Sequence, residues 1–565
     1  MLVILEDGPR RVFCEPVALI TAHTASQVPG ALAAIQTALA QGRHVAGWLG
    51  YELGYALEPR LTQPRSSGPL LRLGVFGAPG AQAPPVLGRA YAGPLRPEWN
   101  EGDYQSRFGR VKNYIAAGDI YQANLSFRAR FAFAGEPRAL YEQLLSQSGA
   151  AHCAYIDMFA EGPRILSLSP ELFFDLSREG RITMRPMKGT ASRGADDKVA
   201  RAALAASEKD RAENLMIVDM IRNDLSRIAQ PGSVEVSGLF EVETYPTLHT
   251  MVSTVTATKR AEVSVADMLR ALFPCGSVTG APKIRAMEIL RELETTPRGA
   301  YCGAIGAFAP DGSARFNVAI RTLTVLGDEG ELGIGGGVVQ DSRAESEYAE
   351  CLLKSRFFEV SRKPLELIET LRFENGFSRL AAHLARMEQS APVFGLAFDA
   401  VSAKAALDKA VAERVGPLRV RLTLNEAGQH DATAHDMQAD PSHWTYVISP
   451  ERTDSRDLFL RHKTNWRDLY ESEVKRLGTD EVIFTNERGE LTEGARSNIF
   501  IARDGILLTP PLDAGVLDGR LRAELIAQGK ARESSLTPDD LKGDVYFGNS
   551  LRGLIAAKLD LGGQR

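Results

Sequence analysis

The sequence predicts a protein of at least two domains in which α-helices and β-strands are mixed, and three observations carry that expectation. At 565 residues the chain exceeds the roughly 100–200 residues of one domain, and its 44% hydrophobic content can fill real cores. From Tyr104 onward, apolar residues at three- and four-residue spacing, such as Leu215, Val218 and Ile221 with Met216 and Met220, alternate with strand-like runs such as Ile165 to Phe174. At Ser361-Arg-Lys-Pro-Leu365 a long helix should end before the proline, and a strand-like run, Leu365 to Phe373, should begin.

Along the chain, residues 1–100 mix short apolar runs with loop signals such as Gly77-Ala-Pro-Gly-Ala-Gln-Ala-Pro-Pro85, which reads as strands joined by surface loops. Residues 101–361 form the mixed region, and residues 362–565 the second domain. The net charge of -5 is small, and no Lys/Arg run is long enough to follow a phosphate backbone, so no nucleic-acid partner is expected. The five cysteines, Cys14, Cys153, Cys275, Cys302 and Cys351, stand singly and read as reduced core thiols. No stretch of about 18 apolar residues and no leader pattern is present, so the expectation is a cytoplasmic chain with no membrane partner.

The first chemistry lies on two helices. Glu208 to Ile228 reads as a helix that sets Asp210 and Glu213 three apart on one face, and Ala344 to Phe358 repeats the arrangement with Glu347 and Glu350, with Lys354 four residues on. Two such faces could clamp Mg²⁺, which is commonly held by one or two carboxylates with substrate and water. Taken alone, either segment is more often a solvated face with an i,i+4 pair. The context that favours chemistry is Pro274-Cys-Gly-Ser-Val-Thr-Gly-Ala-Pro-Lys283, a turn running into a helix from Ile284 to Leu293, where free N–H groups make an anion site. The glycine run in Leu332-Gly-Ile-Gly-Gly-Gly-Val-Val-Gln-Asp341 also permits close backbone approach to a ligand.

These motifs, with Gly118-Asp-Ile-Tyr-Gln-Ala-Asn-Leu-Ser126, Leu168-Ser-Pro-Glu171, Arg185-Pro-Met-Lys-Gly-Thr190 and Arg222-Asn-Asp224, resemble the chorismate-utilising family of anthranilate synthase, aminodeoxychorismate synthase component I and isochorismate synthase. The resemblance implies that Glu213 and Glu350 bind Mg²⁺. It implies too that Tyr301, Arg321, the Gly335 to Gly337 backbone and Lys354 grip the carboxylates of chorismate, and that His249 and Thr279 line the pocket. Lys188 stands where anthranilate synthases typically carry alanine. By resemblance it attacks C2 of chorismate while Glu171 protonates the departing C4 hydroxyl, after which ammonia attacks C4; burial would make such a lysine a usable nucleophile. Gln122 stands where isochorismate synthases have a water-activating lysine. No cysteine lies in a glutaminase-like nucleophile elbow, so a separate glutamine amidotransferase subunit is implied as the ammonia source.

The second constellation runs in order through Arg379 to Met387, where His383 and Arg386 share a helix face, Arg461-His-Lys463-Thr-Asn-Trp-Arg467, Asn486 to Phe500, Gly515-Val-Leu-Asp-Gly-Arg520 and Phe547-Gly-Asn-Ser550. Together these are similar to the class IV pyridoxal-phosphate enzymes. That likeness implies Lys463 as the lysine joined to pyridoxal 5'-phosphate and Glu493 as partner of its pyridine nitrogen. Arg386, the Leu517, Asp518 and Gly519 backbone, Asn549 and Ser550 would hold the phosphate, and Thr370 would help protonate a departing enolpyruvate. The domain starts late, without the family's first strands before Leu367, so either the linker or the first domain has to complete it. A homodimer through this domain is the family default.

The fold class implied is α+β: an N-terminal chorismate-binding α/β sandwich of two large antiparallel sheets, followed by a two-subdomain class IV fold. The implied function is amination of chorismate to aminodeoxychorismate and then release of pyruvate, giving p-aminobenzoate for folate. The alternatives are an anthranilate synthase component fused to an amino-acid transaminase, which Lys188 disfavours, and a non-enzymatic protein with dead sites, disfavoured because every charged residue needed is present.

Overall fold

Strand Leu2–Glu6 is apolar almost throughout and buried on both faces, the pattern of an interior strand. It belongs to one of two large sheets in a computed structural model that describes residues 1–62, 68–194, 196–244, 248–439 and 441–560. The chain divides into two compact units, the first made of Met1–Pro85, Leu95–Phe131 and Tyr141–Ser361, the second of Val86–Pro94, Ala132–Leu140 and Arg362–Arg565.

In the first unit, one sheet orders Gly280–Ala281, Gln122–Gly135, Glu329–Val338, Thr322–Leu326, Arg164–Ser169, His152–Asp157, Leu2–Glu6 and Arg11–Phe13. The other orders Met187–Ser192, Leu248–Thr258, Arg181–Arg185, Leu172–Leu176, Ala314–Val318, Ala304–Phe308, His44–Leu49, Leu71–Phe76 and Ala18–Ala22. The described pairings along both sheets are antiparallel, as expected. One core joins the sheets, with Val3, Leu5 and Ile156 from the first meeting Trp48, Ile305 and Ala307 from the second. Helices Val28–Ala40, Glu208–Ser226 and Val265–Leu272 contribute to a second core with strands of the second sheet.

Helix Glu208–Ser226 starts where the Ser207 side chain accepts a hydrogen bond from Asp210 N. Its buried stripe is Ile217, Val218, Ile221 and Leu225, each at most 1% exposed, and each worth about 1.5–3 kcal/mol relative to exposure. Leu215, expected on that stripe, is 44% exposed, because two residues from Ile217 is close to the opposite side of a helix. Helix Ala344–Ser361 buries Ala344, Glu347, Cys351, Ser355 and Phe358, a three–four stripe that carries a carboxylate inward.

Among its described residues the second unit holds two sheets. In the smaller, Leu367–Phe373, Leu418–Leu424 and His430–Asp436 pair antiparallel. Strand Leu418–Leu424 alternates cleanly, burying Leu418, Val420, Leu422 and Leu424 and leaving Arg419, Arg421 and Thr423 on the other face. The larger sheet has eight strands and is mixed, with Trp444–Thr453 parallel to Glu481–Asn486 and to Gly553–Leu559.

Two segments from before residue 141 complete this unit. Tyr91 and Ala134 enter the core of Leu367, Leu371, Phe394 and Leu407, and the Tyr91 ring meets Phe394 and Trp466 at 5.6 and 6.0 Å. Arg89 donates to Asp457 Oδ2 at 2.9 Å and to Trp466 O at 3.0 Å, and Arg362 donates to Ala92 O at 2.9 Å. Of the cysteines expected in cores, Cys153, Cys275, Cys302 and Cys351 are buried, whereas Cys14 is exposed. Among the described residues no helix is long and apolar enough to cross a membrane.

Two candidate catalytic sites

A cleft of about 290 Å³ in the first unit is lined by Glu171, Lys188, Asp210, Glu213, Tyr301, Arg321, Gly335, Glu347, Glu350 and Lys354, all expected from the sequence. Glycines make this convergence possible. Gly189 has φ 80°, and a Cβ there would lie 2.8 Å from Asp210 Cγ, so only glycine lets strand Met187–Ser192 come this close to helix Glu208–Ser226. A Cβ on Gly337 would lie 2.5 Å from Gln122 Nε2 and 3.3 Å from Lys188 Nζ. Gln122 is thus behind the cleft wall, 1% exposed, and its Oε1 has no partner among the described residues.

Glu171 is buried and accepts a 2.6 Å hydrogen bond from Ser277 Oγ. Burial pushes its carboxyl up to about 7, with Ser277 and Lys188 partly offsetting that. Ser277 lies within the Pro274 to Lys283 motif, yet nothing local distinguishes it from its neighbours there. Lys188 is half-buried, less enclosed than the buried lysine expected, because it borders the open cleft. Arg321 adopts φ 48°, an uncommon conformation for a residue with a side chain, at the point where it enters the cleft.

The carboxylates form a repelling set. Glu213 is pushed up by burial, partly offset by Lys188 and Lys209 and raised further by Asp210 and Glu347. Glu350 is held below the ordinary carboxylate value: burial works against its charge, and Lys354 Nζ, 3.0 Å away, outweighs it. Lys354 also donates to Gly335 O at 3.0 Å. Glu347 Oε1 accepts from Ser342 Oγ at 2.7 Å. Among the described residues no three side chains converge as a complete metal site. A magnesium ion held by one or two carboxylates with substrate and water needs no such triplet, and the mutual repulsion around Glu213 is what a cation would relieve.

Several expectations change here. His249 is fully buried, bonded through Nδ1 to Thr244 Oγ1 at 3.0 Å with Nε2 3.3 Å from Asp197 Oδ1, and does not line the cleft. Its neighbour Thr250 does, because successive strand residues face opposite ways. Thr279 is also enclosed, its hydroxyl donating to Cys275 O at 2.8 Å inside the turn. The turn reaches the cleft through Ser277 and Val278 instead of through the following helix, Lys283–Leu293, whose first residue pairs with buried Asp224 at 2.5 Å. The glycine run makes room for protein as well as ligand: Cβ atoms on Gly333 and Gly335 would strike the Tyr301 ring and Leu125 O at 2.2 and 2.6 Å. Gly336 turns towards helix Ala344–Ser361, where a Cβ would meet Glu347 Oε2 at 3.4 Å. Lys209, Asn124 and Phe357 also line the cleft and were not anticipated.

The second unit contains a cavity of about 730 Å³ lined by Thr370, Arg386, Lys463, Glu493, Leu517, Gly519, Asn549 and Ser550, again as expected. Lys463 is fixed by its backbone, since its carbonyl accepts from Ile368 N at 2.8 Å and Thr464 bridges to Leu367. Its side chain borders the cavity, which leaves it partly accessible, yet protein surrounds it; burial, then Arg386 and Arg467, pull its pKa down to about 7. Glu493 sits on strand Leu491–Gly494 and accepts from Leu517 N at 3.0 Å, Tyr470 Oη at 3.2 Å and Asn498 Nδ2 at 3.3 Å. Burial pushes it up to about 7, partly offset by Arg467.

Arg386 donates to Glu369 at 2.8 and 2.6 Å and to Asp518 O at 2.8 Å. His383 bridges Glu369 Oε2 at 2.6 Å and Ser550 Oγ at 2.7 Å. Burial works against the Glu369 charge, and Arg386 and His383 nevertheless hold it down to about 2. Gly519 precedes helix Arg520–Ala527, and a Cβ there would lie 1.9 Å from Asn498 Oδ1. The Leu517 and Gly519 backbone, Arg386, Asn549 and Ser550 therefore border one end of the cavity beside a helix N-terminus, a fitting cradle for a phosphate. The Asp518 carboxylate instead pairs with Arg520. A carboxyl near 7 and a lysine near 7 in one cavity also fit a pyridine nitrogen and an aldehyde, so the donor set suits pyridoxal 5'-phosphate.

Residues 6–359 match the family described as chorismate binding enzyme, and residues 366–559 match amino-transferase class IV. Aminodeoxychorismate synthase component 1 of Klebsiella aerogenes is 46% identical over 258 residues, which is 45% of this chain and 56% of that protein. Anthranilate synthase component 1 1 of Haloarcula marismortui is 40% identical over 292 residues, 51% of this chain and 58% of that protein. The chain spans about half the length of these curated relatives. Among solved structures, anthranilate synthase component I from Streptococcus pneumoniae aligns with a TM-score of 0.55 at 24% identity, over 64% of this chain and 92% of that one, a likeness of fold.

Proposed function

The chain belongs to the chorismate-binding enzyme family, and on that premise we propose that its first unit aminates chorismate to aminodeoxychorismate and its second releases pyruvate from that product, leaving p-aminobenzoate. The observation that carries the first half is Lys188 and Glu171 lining one cleft, with the Glu171 carboxyl pushed up to about 7. At neutral pH such a group is about half protonated, which suits a general acid.

In this reading the Lys188 amine forms a bond to C2 of chorismate, the double-bond electrons shift, and the C4 hydroxyl leaves as water on taking the Glu171 proton. Ammonia then bonds to C4 and Lys188 departs. Tyr301, Arg321, Lys354 and the Gly335 backbone hold the carboxylates, with Gln122 behind them. Glu213 and Glu350, with Asp210 and Glu347 near by, would hold Mg²⁺, which when bound supplies positive charge for a substrate carboxylate. Cys275, in the turn beside Glu171 and Ser277, is pushed up to about 12 by burial and so is no glutaminase nucleophile. A separate amidotransferase subunit is the proposed ammonia source.

In the second unit, pyridoxal phosphate when bound supplies an electron sink for the substrate amine. Lys463 takes the proton from the ring carbon that bears the amine, Glu493 holds the pyridine end, and Thr370 delivers a proton to the departing enolpyruvate. The reading includes a homodimer through this unit and a cytoplasmic location. Anthranilate synthase activity is disfavoured because Lys188 would then have no role. The test is to supply the purified chain with chorismate, Mg²⁺, ammonium salt and pyridoxal phosphate and identify the aromatic product. p-Aminobenzoate is expected; anthranilate would overturn the reading.

A further inference from the structure

The cavity of the second unit is far more basic than a cofactor requires. Among the described residues, nine Lys or Arg and three Asp or Glu side chains line it. Arg386 is neutralised by Glu369, Arg520 is paired with Asp518, and Lys463 and Arg467 stand near Glu493. Arg419 and Arg421 share one strand, and among the described residues neither side chain has a hydrogen bond or ion pair, yet both line the cavity; Lys475 and Arg496, from other elements of the lining, are likewise without one.

Their placement follows from the alternation of strand Leu418–Leu424, whose leucines and valine enter the core while the two arginines share the opposite face. Register then sets their neighbours. Thr370 lies directly opposite Arg421 across the antiparallel pair, and Arg372 lies opposite Arg419. Side chains directly opposite share one face, with Cβ atoms roughly 4.5–5.5 Å apart, so Arg421 stands beside the threonine assigned above to the departing group. Arg372 is spoken for by Glu374 at 2.7 Å, which leaves Arg421 and Arg419 as open cations on that wall.

Resting on the lyase reading above, we propose that Arg421, with Arg419 beside it, forms a second anion site that takes the enolpyruvyl carboxylate of the substrate. The cavity thereby selects amines bearing a further carboxylate over ordinary monocarboxylate amino acids. The leaving carboxylate would be anchored next to Thr370, and a guanidinium suits it because it presents paired N–H donors in the geometry of a carboxylate.

The test uses the full chain loaded with pyridoxal phosphate, comparing wild type with Arg421→Gln, Arg419→Gln and the double variant. Pyruvate release is measured against aminodeoxychorismate concentration, and the change in the cofactor's visible absorbance is titrated separately with aminodeoxychorismate and with D-alanine. The expected result is a KM and a titration midpoint for aminodeoxychorismate raised about 10- to 100-fold in Arg421→Gln, the size of a lost charge-assisted contact. Arg419→Gln should show a smaller rise, while the D-alanine midpoint and the starting absorbance stay the same. Equal midpoints for aminodeoxychorismate in all four proteins would overturn the proposal, as would loss of the cofactor absorbance itself, which would make these arginines cofactor ligands. If wild type releases no pyruvate but its aminodeoxychorismate midpoint still depends on Arg421, the lyase reading fails and the anion site stands.

Discussion

Glu171→Gln should make the first unit much less active and, at alkaline pH, more stable. Glu171 is buried, and its carboxyl is pushed from 4.5 to about 7. A displacement of that size corresponds to about 3 kcal/mol between the protonated and charged forms. The sign follows from proton binding. Between pH 4.5 and about 7 the folded state keeps a proton that the unfolded chain has released, so stability falls as pH rises through that window and the full cost is present above it. Glutamine carries no charge to bury and can still accept from Ser277. Its cost is therefore absent at pH 8, and the melting temperature measured there by calorimetry should rise. Activity should move the other way. Loss of a general acid is worth about 10²- to 10⁴-fold, and the wild-type amination rate, followed as chorismate consumed at constant free ammonia, should decline above about pH 7. The variant should lack that decline. Wild-type rates in Glu171→Gln, or a lower melting temperature than wild type at pH 8, would refute the reasoning.

Lys188→Ala should reduce amination to background while chorismate affinity, read by calorimetric titration, stays within a factor of about three, because it deletes the nucleophile and leaves the carboxylate grip. Gly189→Ala should cost ~1–3 kcal/mol in denaturant unfolding, since its φ of 80° disfavours a side chain and its Cβ would press on Asp210; unchanged stability would contradict the close approach described. Glu369→Gln should cost about 3–5 kcal/mol by leaving Arg386 buried without its counter-charge, and should weaken the cofactor's visible absorbance. Glu369 is held down to about 2, so the stability it contributes is present above pH 4.5 and is lost as pH falls towards 2. An acid-unfolding curve identical in wild type and Glu369→Gln would count against this.

Legibility in the sequence followed the range of the interactions involved. Carboxylates three apart on a helix share a face by geometry alone, so Asp210 with Glu213 and Glu347 with Glu350 could be placed in one cleft from spacing and motif. His249 and Thr250 differ by one step of strand alternation, which depends on the face that strand Leu248–Thr258 turns to the cleft, and spacing does not fix that. Glu369 shares its strand-like run with Glu366 and Arg372, and its role depends on Arg386 and His383 converging on it from helix Leu380–Ser390. The same limit explains the late start of the second domain. Tyr91 and Ala134 lie hundreds of residues from several of the side chains they pack against, and nothing local in Val86–Pro94 marks it as part of another core.

Product analysis of Lys463→Ala addresses the central claim, two successive reactions in one chain, most directly. With chorismate, Mg²⁺ and ammonium salt, the wild type should yield p-aminobenzoate and pyruvate. The variant should accumulate aminodeoxychorismate at an undiminished rate of chorismate consumption, because Lys188 and its cleft belong to the first unit. p-Aminobenzoate formed by purified Lys463→Ala at the wild-type rate would contradict the account.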